Sequence, residues 1–208
     1  LSAHAPTDRL RGIVRSEEEG QDLVLTACGC FASNGPPVPH VQAEIRASLE
    51  QEPQRVYHAR VRRALEDAGI APDIRETDGA RTAQEAADAV GCGLDQIVKS
   101  IIFQGHDSGQ CLLFLTAGGN QVDAAKASAL AGEALDRADA AAVRTQTGFA
   151  IGGVSPVGHL NPIRAWADPR LLEFDEIWAA AGTPRHVFPL KSADLARLSD
   201  AQVADFTT

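Results

Sequence analysis

Apolar residues begin to recur at helical spacing at Val56. Val56, Ala59, Ala64, Leu65 and Ala68 predict one face of a helix, and Gly69 then Pro72 stop it. A short strand is expected between Asp73 and Glu76. Thr82-Ala-Gln-Glu85 has the form of a capping box, in which the Thr hydroxyl and the Glu carboxylate each satisfy one free amide. It predicts a helix running through Val90 and closed by Gly91. Gln96-Ile-Val-Lys-Ser-Ile-Ile-Phe103 is rich in β-branched residues and mainly apolar on both faces, which predicts a central strand. His106-Asp-Ser-Gly109 turns the chain, and Cys111-Leu-Leu-Phe-Leu-Thr116 returns as the second strand of a hairpin.

Beyond the hairpin, Asp123 is expected to cap an Ala-rich helix to about Ala131, with a second Ala-rich helix from about Ala138 to Val143. Residues 147–162 hold four Gly and two Pro with few charges, the composition of an ordered loop. Strands are predicted from Ile163 to Ala167, Glu176 to Ala180 and His186 to Leu190. Ser192 is read as the cap of a last helix to about Leu198, and Val203 to Phe206 as an edge strand. Helices and strands mix without a strict βαβ alternation. The class is therefore α+β, with a largely antiparallel or mixed sheet.

Residues 1–53 read differently. Glu17-Glu-Glu-Gly20, Asn34-Gly-Pro-Pro37 and Pro39 interrupt any pattern. Leu23-Val-Leu25 looks like a strand with no evident partner, and one short helix is expected around Val41 to Leu49. This part is taken as a weakly structured extension, and the domain proper as 54–208.

Of the 208 residues, 44% are hydrophobic and 23% charged, which suits a packed core and excludes wholesale disorder. No run of 18 apolar residues occurs, and no basic start followed by an apolar stretch marks a secretory leader; a cytoplasmic protein is expected. The net charge of -9 argues against a bulk basic nucleic-acid binder. The first 53 residues carry four of the 19 basic and eight of the 28 acidic residues, leaving -5 for the rest. Arg60, Arg62 and Arg63 are a local basic cluster, readable equally as a contact for a polyanion or as an exposed helix face. The cysteines (Cys28, Cys30, Cys92 and Cys111) form no CxxC pair, and the six His are scattered, so nothing has metal-ligand spacing. Cys92 and Cys111 read as small packing residues.

Lys99 is the most informative position. It is one of only three Lys, and it lies within the strand whose faces are both apolar. An ammonium there is expensive unless it meets an anion or an opening, so it is a candidate site for a phosphate or a polarised carbonyl, or a lysine snorkelling at a strand rim. The second feature is Thr147-Gly-Phe-Ala-Ile-Gly-Gly-Val-Ser-Pro-Val-Gly-His159. Its glycines let the backbone approach a ligand, and successive free amides can hold a carbonyl oxygen or oxyanion. It lacks the Gly-Lys-Ser/Thr of a P-loop. It also lacks the closing Gly of a nucleophile elbow, so Ser155 is a poor nucleophile.

Thr82-Ala-Gln-Glu-Ala-Ala, Gln96-Ile-Val-Lys-Ser and the Gly-rich loop occur in the order and spacing of a known family. Over about Pro53 to Asp205 the chain resembles the YbaK/ProX aminoacyl-tRNA deacylases, with Trp166-Ala-Asp168 and Ile177-Trp-Ala-Ala-Ala-Gly182 similar as well. The resemblance implies an α+β fold around a mixed, partly closed β-sheet with surrounding helices. It implies hydrolysis of mischarged tRNA, often tRNA(Pro) carrying a wrong small amino acid, in trans to the synthetase. The family lysine falls on Lys99, and the family's Gly-x-x-x-Pro loop on Gly152, Gly153, Val154, Ser155 and Pro156. On this reading the loop amides hold the aminoacyl carbonyl, Lys99 grips the CCA end, and water or a ribose hydroxyl attacks. Ser100, His159 and Asp168 would line the pocket. Neither a metal nor an organic cofactor is implied, and a partner synthetase could supply further grip on the tRNA. The alternative is a non-catalytic module that binds an aminoacyl-tRNA end to assist a synthetase.

Overall fold

The β-branched run and its return strand form the centre of the sheet. The computed structural model describes residues 54–208 apart from residue 78, together with the backbone of 12–15 and 22–25. The chain divides into two units, Leu1–Arg46 and Ala47–Thr208. The first holds strands β1 (Gly12–Arg15) and β2 (Asp22–Leu25), paired antiparallel, so the strand expected at Leu23-Val-Leu25 has its partner in residues 12–15. The helix expected around Val41 to Leu49, Cys28 and Cys30 lie outside the described residues.

The second unit runs α1 (54–67), β3 (Arg75–Glu76), α2 (Ala83–Val90), β4 (Ile97–Gly105), β5 (Cys111–Ala117), α3 (Ala124–Ala131), β6 (Leu135–Arg137), α4 (Ala140–Thr147), β7 (Arg164–Ala167), β8 (Glu176–Ala180), β9 (His186–Lys191), α5 (Ser192–Ser199) and β10 (Ala201–Val203). The sheet order is β10-β7-β5-β4-β8-β9-β3, with β6 also paired to β4. Antiparallel pairs (β4–β5, β8–β9, β3–β9, β4–β6) mix with parallel ones (β4–β8, β5–β7, β7–β10), as an α+β mixed sheet requires. The path is open, its terminal strands β10 and β3 unpaired with each other. It forks instead of closing: one edge of β4 pairs with β8 at Ile97–Val98 and with β6 at Phe103–Gly105.

Strand alternation sorts the core onto two faces. Val98, Leu113, Leu115, Ala117, Ala165, Ile177 and Ala179 point to one face, which α1, α4, α5 and the Gly-rich loop cover. On the other face Phe114, Trp166 and Phe206 gather under α3, while Ile97, Trp178 and Val187 pack on α2. Phe114 stacks on Trp166 with centroids 4.9 Å apart. Cys111 belongs to the first cluster and Cys92 packs beside α2; both are free thiols.

Local signals place the elements well. Thr82 and Glu85 form the capping box, and Gly91 ends α2 in the left-handed conformation. Asp123 caps α3 through the amides of Ala125 and Lys126. Four readings are corrected. The buried seam of α1 is Tyr57, Val61, Ala64 and Leu65, while Val56 stands 57% exposed; the helix is rotated because Tyr57 and Val61 find the loop and the sheet. The second Ala-rich helix starts at Ala140 under an Asp139 cap, and the residues before it form β6 against β4. Ser192 is the first residue of α5 and is buried; the N-cap is Lys191, whose side chain makes no capping bond. The last strand ends at Val203, because the Phe206 side chain is needed in the core and Thr207 bridges to Val122.

Candidate active site

The candidate site residues fall into two groups, one around Lys99 and one around the Gly-rich loop. Between its two partners on the forked edge, β4 has no ladder partner from Lys99 to Ile102, and Lys99 to Gln104 are only half-buried although the strand is central. The sheet is open at this point, which resolves how an apolar strand tolerates a lysine. The ammonium donates to the Asn120 carbonyl. Asn120 in turn donates from Nδ2 to Asp168 Oδ2 at 2.8 Å. Burial lowers the Lys99 pKa, while Asp168 and Asp95 pull it back up. Asp168 is 2% exposed and accepts the Ala117 amide at 3.1 Å and the Arg170 amide at 2.9 Å. Thr116, directly across from Lys99, is fully buried with its hydroxyl unpartnered.

The loop is pinned at both ends. The Leu160 amide donates to the Thr147 carbonyl at 3.0 Å, and His159 Nε2 meets the Ser155 carbonyl at 2.7 Å. Gly153 to Val157 are buried, with Gly152 exposed beside Ile151. Gly152 has φ +87°, and a Cβ on Gly153 would lie 2.4 Å from Thr183 Cα, so both glycines are required by the backbone. Ser155 is fully buried, and its Oγ accepts the Val157 amide at 3.3 Å in a turn role. Among the described residues, the amides of Gly152, Val154 and Ser155 have no acceptor, and Pro156 has no N–H to compete. Burial, opposed by the Ser155 bond and helped by Arg60, pushes the His159 pKa down to about 4, so its ring is neutral at pH 7.

Among the described residues no hydrogen bond or ion pair joins Lys99 to the loop. Lys99 leaves β4 on the face opposite Val98, whereas Val154 and Val157 pack with Val98. Ser100 follows Val98, not Lys99, and its buried hydroxyl has no partner. Strand β8 links the two groups: its Ala179 pairs with Val98, next in sequence to Lys99, and the chain past its end carries Thr183. Thr183 lies against the loop, since a Cβ on Gly153 would come 2.4 Å from its Cα.

Sequence patterns did not reveal Asn120, Thr183, His186 or His58. Thr183 Oγ1 accepts the Arg185 amide at 3.3 Å and shares a second hydrogen bond with His186 Nδ1 at 2.7 Å, whose direction follows the tautomer of the ring. Burial lowers the His186 pKa, and the ring sits edge-on to His58 with centroids 4.2 Å apart. No spacing rule links these positions. Of the basic cluster on α1, Arg62 and Arg63 are exposed, while Arg60 turns inward to the loop.

Residues 77–198, more than half of the chain, match the aminoacyl-tRNA editing domain. A solved structure of a proposed trans-editing enzyme for prolyl tRNA synthetase is 46% identical, with a TM-score of 0.68, covering 73% of this chain and 97% of that one. A scaffold protein used for computational grafting of linear epitopes is 45% identical with a TM-score of 0.69, over the same shares of the two chains. YwhH of Bacillus subtilis (strain 168), an uncharacterized protein, is 30% identical over 128 residues, 62% of this chain and 80% of its own.

Proposed function

This chain belongs to the aminoacyl-tRNA editing domain family, and from that membership we propose that it is a deacylase acting in trans on mischarged tRNA. The proposed substrate is tRNA(Pro) carrying a wrong small amino acid; the relative at 46% identity, described as acting for prolyl tRNA synthetase, supports that choice. The observation that carries the reading is the run of acceptor-free amides at Gly152, Val154 and Ser155 in a loop held at both ends. An aminoacyl ester is already activated. The enzyme must hold its carbonyl and stabilise the negative charge that grows on the oxygen, and fixed amides do this without reorganising.

In this mechanism the carbonyl oxygen sits on the loop amides. His186, bonded through Nδ1 to the Thr183 that lies against Gly153, orients the ribose or the attacking water. Water adds to the carbonyl carbon, the bond from that carbon to the ribose oxygen breaks, and the water proton passes to the ribose. Lys99, on the open edge of β4, takes the terminal phosphate of the CCA end. Asn120 and Asp168 hold the ammonium in place. Ser100 and His159 shape the pocket without taking part in proton transfer. The neutral acyl-transfer inventory needs no side-chain nucleophile, in keeping with the turn role of Ser155.

That same inventory, mostly backbone, also suits a non-catalytic module that binds the aminoacyl end for a synthetase. A panel of tRNA(Pro) charged with Ala, Cys or Ser separates the two. Release of amino acid from at least one, well above the spontaneous rate, is expected. Retention of every ester together with measurable tRNA binding would establish the binding module instead.

A further inference from the structure

Helix α1 lies ahead of the matched segment 77–198, yet it reaches the Gly-rich loop at both ends through one residue. The Arg60 guanidinium donates to the carbonyls of Thr147, at 3.5 Å, and of Gly148, across 87 and 88 residues of sequence. These are the last residue of α4 and its left-handed C-cap, where the carbonyls lack helical partners and the helix dipole is negative. The same guanidinium lies over the Phe149 ring at 4.3 Å and near Tyr57 at 5.5 Å. At the far end of the loop, a Cβ on Gly158 would come 3.0 Å from the Arg60 backbone carbonyl. A Cβ on Gly148 would strike Arg60 Nη1 itself, at 2.0 Å. The ring of His159, which holds Ser155, packs edge-on to the other partner of this stack, Phe149, with centroids 5.8 Å apart.

We propose that Arg60 is a positioning residue that sets the geometry of the Gly152–Pro156 loop from outside the editing-domain segment. Its fork ties down the carbonyls where the loop begins, and its backbone closes on Gly158 where the loop ends. The Arg60–Phe149–His159 stack passes that restraint to the Ser155 carbonyl in the middle. Tyr57 and Val61 anchor the helix, so the loop amides are aimed by α1 as well as by α4. The catalytic consequence rests on the deacylase reading above; the structural one does not.

The test uses the full chain with Arg60→Met, which keeps an apolar stem, and Arg60→Lys, which keeps the charge but loses the fork. On the mischarged tRNA that the wild type hydrolyses best, Arg60→Met should lower kcat about 100-fold with KM within twofold, the signature of misaimed groups. Arg60→Lys should recover only part of that loss. Amide hydrogen exchange needs no substrate: Phe149, Gly153, Val157 and Leu160 should lose protection in Arg60→Met while the centre of β5 keeps its own. Unchanged protection at those four amides would overturn the positioning role whatever the kinetics. If Arg60→Met fails to fold, Arg60→Lys carries the same exchange measurement. A wild-type chain that leaves every ester intact would remove the deacylase reading, and the exchange data would still decide the role of Arg60.

Discussion

Asp168→Asn tests the polar framework around Lys99, because it changes one atom and leaves the shape intact. The wild-type carboxylate is 2% exposed and takes three donors, two on Oδ2 and one on Oδ1. An amide has one acceptor oxygen. Turned toward Ala117 N–H and Asn120 Nδ2, it leaves its NH2 group facing the Arg170 amide, donor against donor. The variant then loses one charge-assisted bond, about 1.5–3 kcal/mol, and weakens two others to neutral strength, at a few tenths to about 1 kcal/mol each. The expected destabilisation is about 3 kcal/mol, a large share of the 5–15 kcal/mol typical of a domain. With a urea m-value of about 2 kcal/mol/M, the midpoint should fall by about 1.5 M at unchanged m. Equilibrium urea unfolding followed by far-UV circular dichroism and tryptophan fluorescence measures this. A midpoint within about 0.3 M of the wild type would show that these three bonds do not sustain the fold and refute the reasoning.

Lys99→Ala should abolish most deacylation while the unfolding midpoint stays at or above the wild-type value. Burial penalises the charged ammonium, so its removal relieves a cost; wild-type rates in the variant would contradict the assignment. Stability should also fall in mild acid. His159 titrates near pH 4 folded against about 6.5 unfolded, so its contribution is complete above pH 6.5 and is lost as pH falls toward 4. About 2 kcal/mol should be gone by pH 5, with His58 and His186, lowered in the same direction, adding to the slope. His159→Gln should flatten the dependence measured by urea midpoints between pH 7.5 and 5, and an unchanged slope would count against it.

Much of the fold could be read along the chain because its causes are local. The capping box at Thr82 and Glu85, the Asp123 cap and the glycine ends act over three or four residues, and the hairpin of β4 and β5 joins neighbours in sequence. Lys99 stood out for a similar reason: a charge among β-branched residues is anomalous whatever surrounds it. The Gly-rich loop was legible as a place of close approach. What it approaches was not, since the neighbours of Gly153 and Gly158 are Thr183 and Arg60, about 30 and 100 residues away.

Residue order and type thus dictated most of the helices and strands, which strand is central, and which two features are candidates for the chemistry. Packing chose the rest: the seam of α1, the pairing of β6, the opening of the β4 edge, and the meeting of Asn120 with Lys99 and of Thr183 with His186. Backbone propensities and caps are short-range, whereas burial belongs to the assembled sheet. A side chain learns which face is dry, and which polar group is left without a partner, only when segments far apart in sequence close around it.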